Sequence, residues 1–222
     1  MVHFDDTLWN RRDVAKPASG TPQGEFVTDV RIAALDPAAY RRSPWKNGGG
    51  VTIDIADAYR PGAKPGDWDG VLWRLGRTEI PIGAPFSDLS GYDRLQVVVA
   101  GRGLVLETAA GEIDLREPLR PVRFRGEPPI TSRLEAGPVE VVNLIGARSE
   151  THLDLRVLDA GTPLTLSPGT HVVYAPSGPA TLDVGVGRHV LHDQHALCID
   201  LAETIMMRGA GGVALVASIG SA

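Results

Sequence analysis

With 222 residues, 43% of them hydrophobic, the chain is long enough for one large β domain or two small ones and apolar enough to build a real core. A formal net charge of -5 with scattered Lys and Arg denies it the basic face that a phosphate-tracking surface needs, so nucleic acid is excluded as a partner. The sole cysteine, Cys198, makes no internal disulfide, and no N-terminal apolar run has the length of a signal peptide or membrane span; a cytoplasmic protein with no membrane partner is expected.

Residues 1–28 are polar and small, carry Pro17 and Pro22 and show no periodicity, so a mobile N-terminal tail is expected there. Next comes Ser43-Pro44-Trp45-Lys46-Asn47-Gly48-Gly49-Gly50-Val51-Thr52, where three consecutive glycines lie beside an aromatic, a cation and an amide. Glycine reaches backbone angles that other residues resist, and this run leads straight into the alternating strand Val51 to Ala56. A tight shaping turn near a ligand is expected, with a plain strand-entry loop as the alternative.

In Val71 to Arg77, strand alternation puts Trp73 with Val71 and Leu75 on one face and Arg74 with Leu72 and Gly76 on the other. If the second face lines a barrel interior, Arg74 needs an anion; a surface arginine is the alternative. The loop from Gly83 to Arg94 is rich in turn formers and carries Phe86, Ser87 and Arg94. Loops on a rigid β scaffold are where sites live, although a core plug for Phe86 and a surface pair for Asp93 with Arg94 are the plainer alternatives.

Arg94 to Val99, the turn Ala100 to Gly103, and Leu104 to Thr108 read as a hairpin, followed by alternating Glu112 to Leu115; Glu107, Glu112 and Asp114 belong to outer faces. A second series of short strands runs from Val139 to Ile219, with a boundary near Ala147 to Thr151. Many short strands without βαβ alternation predict antiparallel sheets closing on themselves: one barrel over 29–148 and a second, reduced one over 149–222.

These segments together resemble the HutD/Ves family of bicupins. Trp45-Lys46-Asn47-Gly48-Gly49-Gly50-x-Thr52, Trp73-Arg74-Leu75, Phe86-Ser87 followed by Gly91-x-Asp93-Arg94, and Gly101-x-Gly103-Leu104 match its order, spacing and residue types over about Arg42 to Leu106. Phe124 to Glu127 and Gly137 to Ile145 add a weaker echo. The resemblance implies an all-β bicupin, two stacked antiparallel cupin-type β-barrels with the C-terminal one reduced. For the HutD branch it implies non-catalytic binding of a small acid such as N-formylglutamate, with a regulatory role in histidine utilisation; the Ves branch implies only a stress-related protein.

A small anionic metabolite is therefore the expected partner, and a homodimer is left open. Two arginines, Arg74 and Arg94, can grip carboxylates by paired hydrogen bonds, Lys46 can add a point charge, and Asn47 can bond an amide or formyl group. Trp45 and Phe86 can cover the carbon chain, and Ser87 and Asn143 complete the expected ligand-binding set. Three positions depart from the family pattern: Val141 stands for an Asp, Gly76 for a Ser, and Glu127 for an Asp. Val141 shares a strand face with Asn143, so a more apolar wall is expected if that face is the pocket.

No metal and no other cofactor is expected. Many cupins hold a metal through histidines, yet 29–148 contains none, and His189, His192 and His195 do not present one chelating face. His152 and His171 are the remaining candidates in the second half. No catalytic residue is assigned. A metal-free cupin enzyme of the isomerase or epimerase type is the rival reading, for which Tyr92 and Asp93 are the nearby candidates as base.

Overall fold

A computed structural model describes residues 30–45, 48–185 and 187–222; the expected tail, Lys46 and Asn47 lie outside them. Chain order gives β1 (Val30–Leu35), a short 3-10 turn (Pro37–Ala39), β2 (Arg41–Pro44), β3 (Val51–Tyr59), β4 (Val71–Ile80), β5 (Tyr92–Ala100), β6 (Leu104–Thr108), β7 (Gly111–Leu115), β8 (Val122–Arg125), β9 (Thr131–Leu134) and β10 (Val139–Ala147). The second half adds β11 (Thr151–Asp159), β12 (Pro163–Leu166), β13 (Gly169–Tyr174), β14 (Ala180–Val184), β15 (Gly187–Leu191), β16 (Ala196–Leu201), β17 (Ile205–Gly211) and β18 (Val213–Ser221). Among the described residues no helix is long and apolar enough to cross a membrane.

The strands form four antiparallel sheets. In the first half, β2-β3-β4-β10-β5-β8 face β7-β6-β9; in the second, β1-β16-β13-β18-β11 face β12-β17-β14-β15. Alternation along each strand builds three cores. Val98, Leu104, Leu106, Leu115, Val139 and Val141 fill the first barrel, and Val173, Leu182, Ile199, Met207 and Val216 fill the second. Between the barrels, Trp73, Leu75, Val97 and Leu144 of the six-stranded sheet meet Leu155, Tyr174, Cys198 and Leu215 of the five-stranded one. Both large sheets are thus buried on two faces, as their apolar runs require.

Two expectations need correction. Arg94–Val99 and Leu104–Thr108 are not a hairpin: β5 lies between β10 and β8, whereas β6 lies between β7 and β9. The chain changes sheet at Gly101 (φ 74°) and Gly103 (φ 81°), and a Cβ on Gly101 would stand 2.5 Å from the Pro138 carbonyl oxygen. Nor does the division at 148/149 describe β1. This strand pairs with β16 from Val30↔Leu201 to Leu35↔Ala196, and Val30 and Ile32 pack on the second barrel's core. The shorter C-terminal half completes its sheet with the first described strand of the chain.

Candidate functional site

The glycine run closes the β2–β3 hairpin. Trp45 N–H donates to Gly50 O at 2.9 Å and Gly48 N–H to Trp45 O at 3.0 Å. A Cβ on Gly50 would lie 2.9 Å from the Trp45 ring, so glycine there lets the indole lie against the backbone. Trp45 Nε1 in turn donates to Thr52 Oγ1 (3.1 Å) and Thr78 Oγ1 (3.2 Å), which fixes the ring at the rim of the first barrel.

Arg74 on β4 and Arg94 on β5 face the barrel interior at one level, because both pair with Ile145 of the intervening strand. Adjacent strands lie about 4.8 Å apart, so the two Cα atoms are separated by roughly 10 Å, within converging reach of two extended arginines. The loop following β4 is stitched over them: Phe86 N–H donates to Ile130 O (2.8 Å) and Leu89 N–H to Gly126 O (3.0 Å). A Cβ on Gly126 would sit 2.2 Å from Leu89 O, so the close approach demands glycine.

The result is a cavity of about 70 Å³. Trp45, Arg74, Phe86, Ser87, Arg94 and Asn143 all line it, together with Thr52, Trp68, Leu89 and Ile145. Lys46 and Asn47, also named from the sequence, lie outside the described residues.

Both arginines are almost wholly buried, Arg74 at 2% exposure and Arg94 at 7%. Arg74 Nε donates to Asp54 Oδ1 at 2.5 Å, while its Nη1 and Nη2 have no hydrogen-bond partner among the described residues. Asp54 is held from behind by Arg41 Nη2 (2.9 Å) and Ser43 Oγ (2.5 Å), and Arg41 also pairs with Asp57. A register shift between Asp54 and Ala56 in β3 lets two carboxylates three residues apart meet one guanidinium.

Arg94 has a thinner setting. Its Nη2 donates to Asn143 Oδ1 at 3.3 Å, its guanidinium lies over Phe86 (4.8 Å) and Phe124 (5.1 Å), and its Nε has no partner among the described residues. Burial with no carboxylate partner lowers its pKa to about 10, still cationic near neutrality. Three guanidiniums (Arg41, Arg74, Arg94) thus stand against two carboxylates (Asp54, Asp57), leaving one positive charge uncompensated among the described groups. Gln96, opposite Asn143, fully buried and not in the cavity lining, also has both side-chain polar atoms without a partner among the described residues.

The chemistry of such an arrangement suits an anion, since charge-bearing donors without partners in a low-dielectric site are complementary to a carboxylate. Of the departures, Val141 lies in the barrel core. At Gly76 an added Cβ would stand 2.4 Å from Thr52 Cγ2, so the Thr52 methyl occupies the space a Ser would need. Glu127 lies outside the cavity, paired with Arg148 and accepting from Gly91 N–H. Asp93 is likewise held by Arg123 and Arg148, and Tyr92 donates to Val71 O. Among the described residues no group of three or more His, Cys, Asp or Glu is arranged to hold a metal ion.

Trp68 and the Asp54–Arg41 backing were not singled out from the sequence. Asp54 carried a signal, a carboxylate among apolar neighbours on an alternating strand; Trp68 sits in a Gly/Pro/Asp-rich loop whose path no periodicity reveals.

Comparison with known proteins places this geometry in context. A family model described as HutD matches residues 37–217. A Pseudomonas putida protein, described as an uncharacterised 21.2 kDa protein in the hutC 3' region, is 31% identical over 151 residues, covering 68% of this chain and 76% of its own length. The structure of HutD from Pseudomonas fluorescens SBW25, formate condition, is 27% identical with a TM-score of 0.71, covering 86% of this chain and all of that one. A conserved protein of unknown function from Pseudomonas aeruginosa PAO1 superposes at 0.72 with 22% identity over the same shares. Salicylate 1,2-dioxygenase from Pseudoaminobacter salicylatoxidans, at 7% identity and 0.52 over 87% of this chain and 81% of its own, shares the cupin-type fold alone.

Proposed function

The chain belongs to the HutD family, which is linked to the histidine-utilisation locus, and from that premise we propose that it is a non-catalytic binding protein for a small carboxylic acid of the N-formylglutamate type, acting as a sensor in histidine breakdown. The observation that carries the reading is the pair of buried guanidiniums with unpartnered nitrogens on one cavity wall. A carboxylate supplies both the missing charge and the missing acceptors. Asn143 on the cavity wall favours an acid with a second polar group, such as a formamide, while Phe86, Leu89 and Ile145 suit a short carbon chain.

A thermal-shift screen against histidine-pathway intermediates and common dicarboxylates tests it. Ligand at a hundred times its Kd adds about 2.7 kcal/mol to folded-state stability. For a domain of this size that raises Tm by roughly 5 to 10 °C. Shifts confined to non-acidic compounds would reject the reading.

A further inference from the structure

One donor at the cavity belongs to none of the sequence motifs. We infer that Trp68 is a ligand-contacting residue whose indole N–H donates to the carboxylate held by Arg74 and Arg94, and that the loop between β3 and β4 which carries it is the cover of the site. This rests on the acid-binding reading and adds to it the residue that completes the carboxylate seat.

The two tryptophans at the cavity stand in different chemical states. Trp45 spends its N–H on Thr52 and Thr78. Trp68 lines the same cavity with its Nε1 buried and without a partner among the described residues. A buried donor left without an acceptor costs stability, and no described residue accepts from this one. Its ring lies over the Arg74 guanidinium at 4.9 Å and meets Tyr92 edge-on at 6.3 Å, so the indole is held in place before any ligand arrives.

The loop itself is anchored at two points. Arg60 N–H donates to Gly70 O at 2.7 Å and closes its base. Gly66 N–H donates to Tyr59 Oη at 2.9 Å, and that same oxygen accepts from Arg41 Nη2 at 3.1 Å. The cover and the Asp54–Arg41 backing of Arg74 therefore share one hydrogen-bonded network.

Donor and charge counts agree. Arg74 Nη1, Arg74 Nη2, Arg94 Nε and Trp68 Nε1 are four unpartnered donor nitrogens at the cavity. An ionised carboxylate offers about four lone-pair sites on two oxygens and one negative charge. The described side chains carry one uncompensated positive charge. The seat therefore takes one carboxylate group, and the rest of the acid extends along the apolar wall.

The test uses two probes, formate as a bare carboxylate and N-formyl-L-glutamate as a longer acid. In the full-length protein labelled with 15N, the Trp68 indole resonance, assigned by its loss in Trp68→Phe, is expected to move on saturation with either probe. Trp68→Phe keeps an aromatic ring and removes the N–H, so both probes should weaken by a similar factor of about ten. Unchanged affinity for both in Trp68→Phe, with binding still lost in Arg74→Ala, would overturn the inference and leave the acid-binding reading standing. So would a loss confined to N-formyl-L-glutamate, which would assign Trp68 to contact with the chain. Should Trp68→Phe fold poorly, the indole resonance is assigned by through-bond experiments on the native protein, and its failure to move at saturation would refute the inference alone. If the native protein binds neither probe, the underlying reading falls and this inference with it.

Discussion

Replacing Arg94 with methionine should abolish acid binding while leaving the unliganded protein as stable as before, or more so. Depression of its pKa from 12.5 to about 10 corresponds to roughly 3 kcal/mol working against the buried cation. Offsetting it are two cation–π contacts, with Phe86 and Phe124, of about 1 kcal/mol each, and one long hydrogen bond to Asn143 of about 1 kcal/mol or less. The opposing contributions nearly cancel. Methionine fills much of the volume without a charge and adds roughly 1 to 2 kcal/mol from apolar burial, and no carboxylate is left behind unpaired. Urea unfolding should therefore place Arg94→Met between about 0 and 2 kcal/mol more stable than the native chain, with calorimetric binding of a small carboxylate lost. An arginine that held the fold through a buried pair would cost about 3 to 5 kcal/mol on removal. Destabilisation of that size would refute the view that Arg94 holds its charge in reserve for a ligand.

Three further outcomes are expected. Gly126→Ala forces a Cβ to within 2.2 Å of Leu89 O, so stability should fall by about 2 to 4 kcal/mol from overpacking and a strained Leu89 hydrogen bond; a melting temperature equal to the native one would show that the loop yields freely. His171 is buried with Nδ1 and Nε2 engaged by Ser218 and Ser167, and burial pushes its pKa below 6.5. The folded chain then binds fewer protons than the unfolded one as pH falls below 6.5, so stability should drop through that window, and less steeply in His171→Gln; identical pH profiles would remove His171 as the cause. Cys198 lies in the inter-barrel core with its thiol pushed up to about 12 by burial, so a thiol reagent should label the native protein far more slowly than the unfolded one, and rapid stoichiometric labelling would contradict this placement.

Alternation is a local signal, so Arg74 opposite Trp73 follows from period two alone, whereas Arg94 reads as the end of the turn-rich segment from Gly83. Pairing is a long-range property and was less legible. β1 could not be assigned to the second barrel from its own six residues, since its apolar face is equally suited to either core. β5 and β6 read as a hairpin because a glycine turn joins two apolar runs, and only the claims of β10 and β8 on β5 forbid it. β17 is hard to delimit from the sequence because apolar Met206 and Ala210 are exposed while Gly209 is buried against the Asp159 carbonyl, which blurs the alternation. At the site, the glycine turn and the two arginines stood out by residue type, whereas Trp68 acquires its place from a loop whose course is set by tertiary contacts.

The most direct measurement is a crystal structure of the protein soaked with N-formyl-L-glutamate. A carboxylate group is expected with its oxygens within hydrogen-bond distance of Arg74 Nη1 or Nη2 and of Arg94 Nε, and the acid's chain against Phe86 and Ile145. Acid bound elsewhere on the molecule, or a cavity holding only water at saturating ligand, would contradict it.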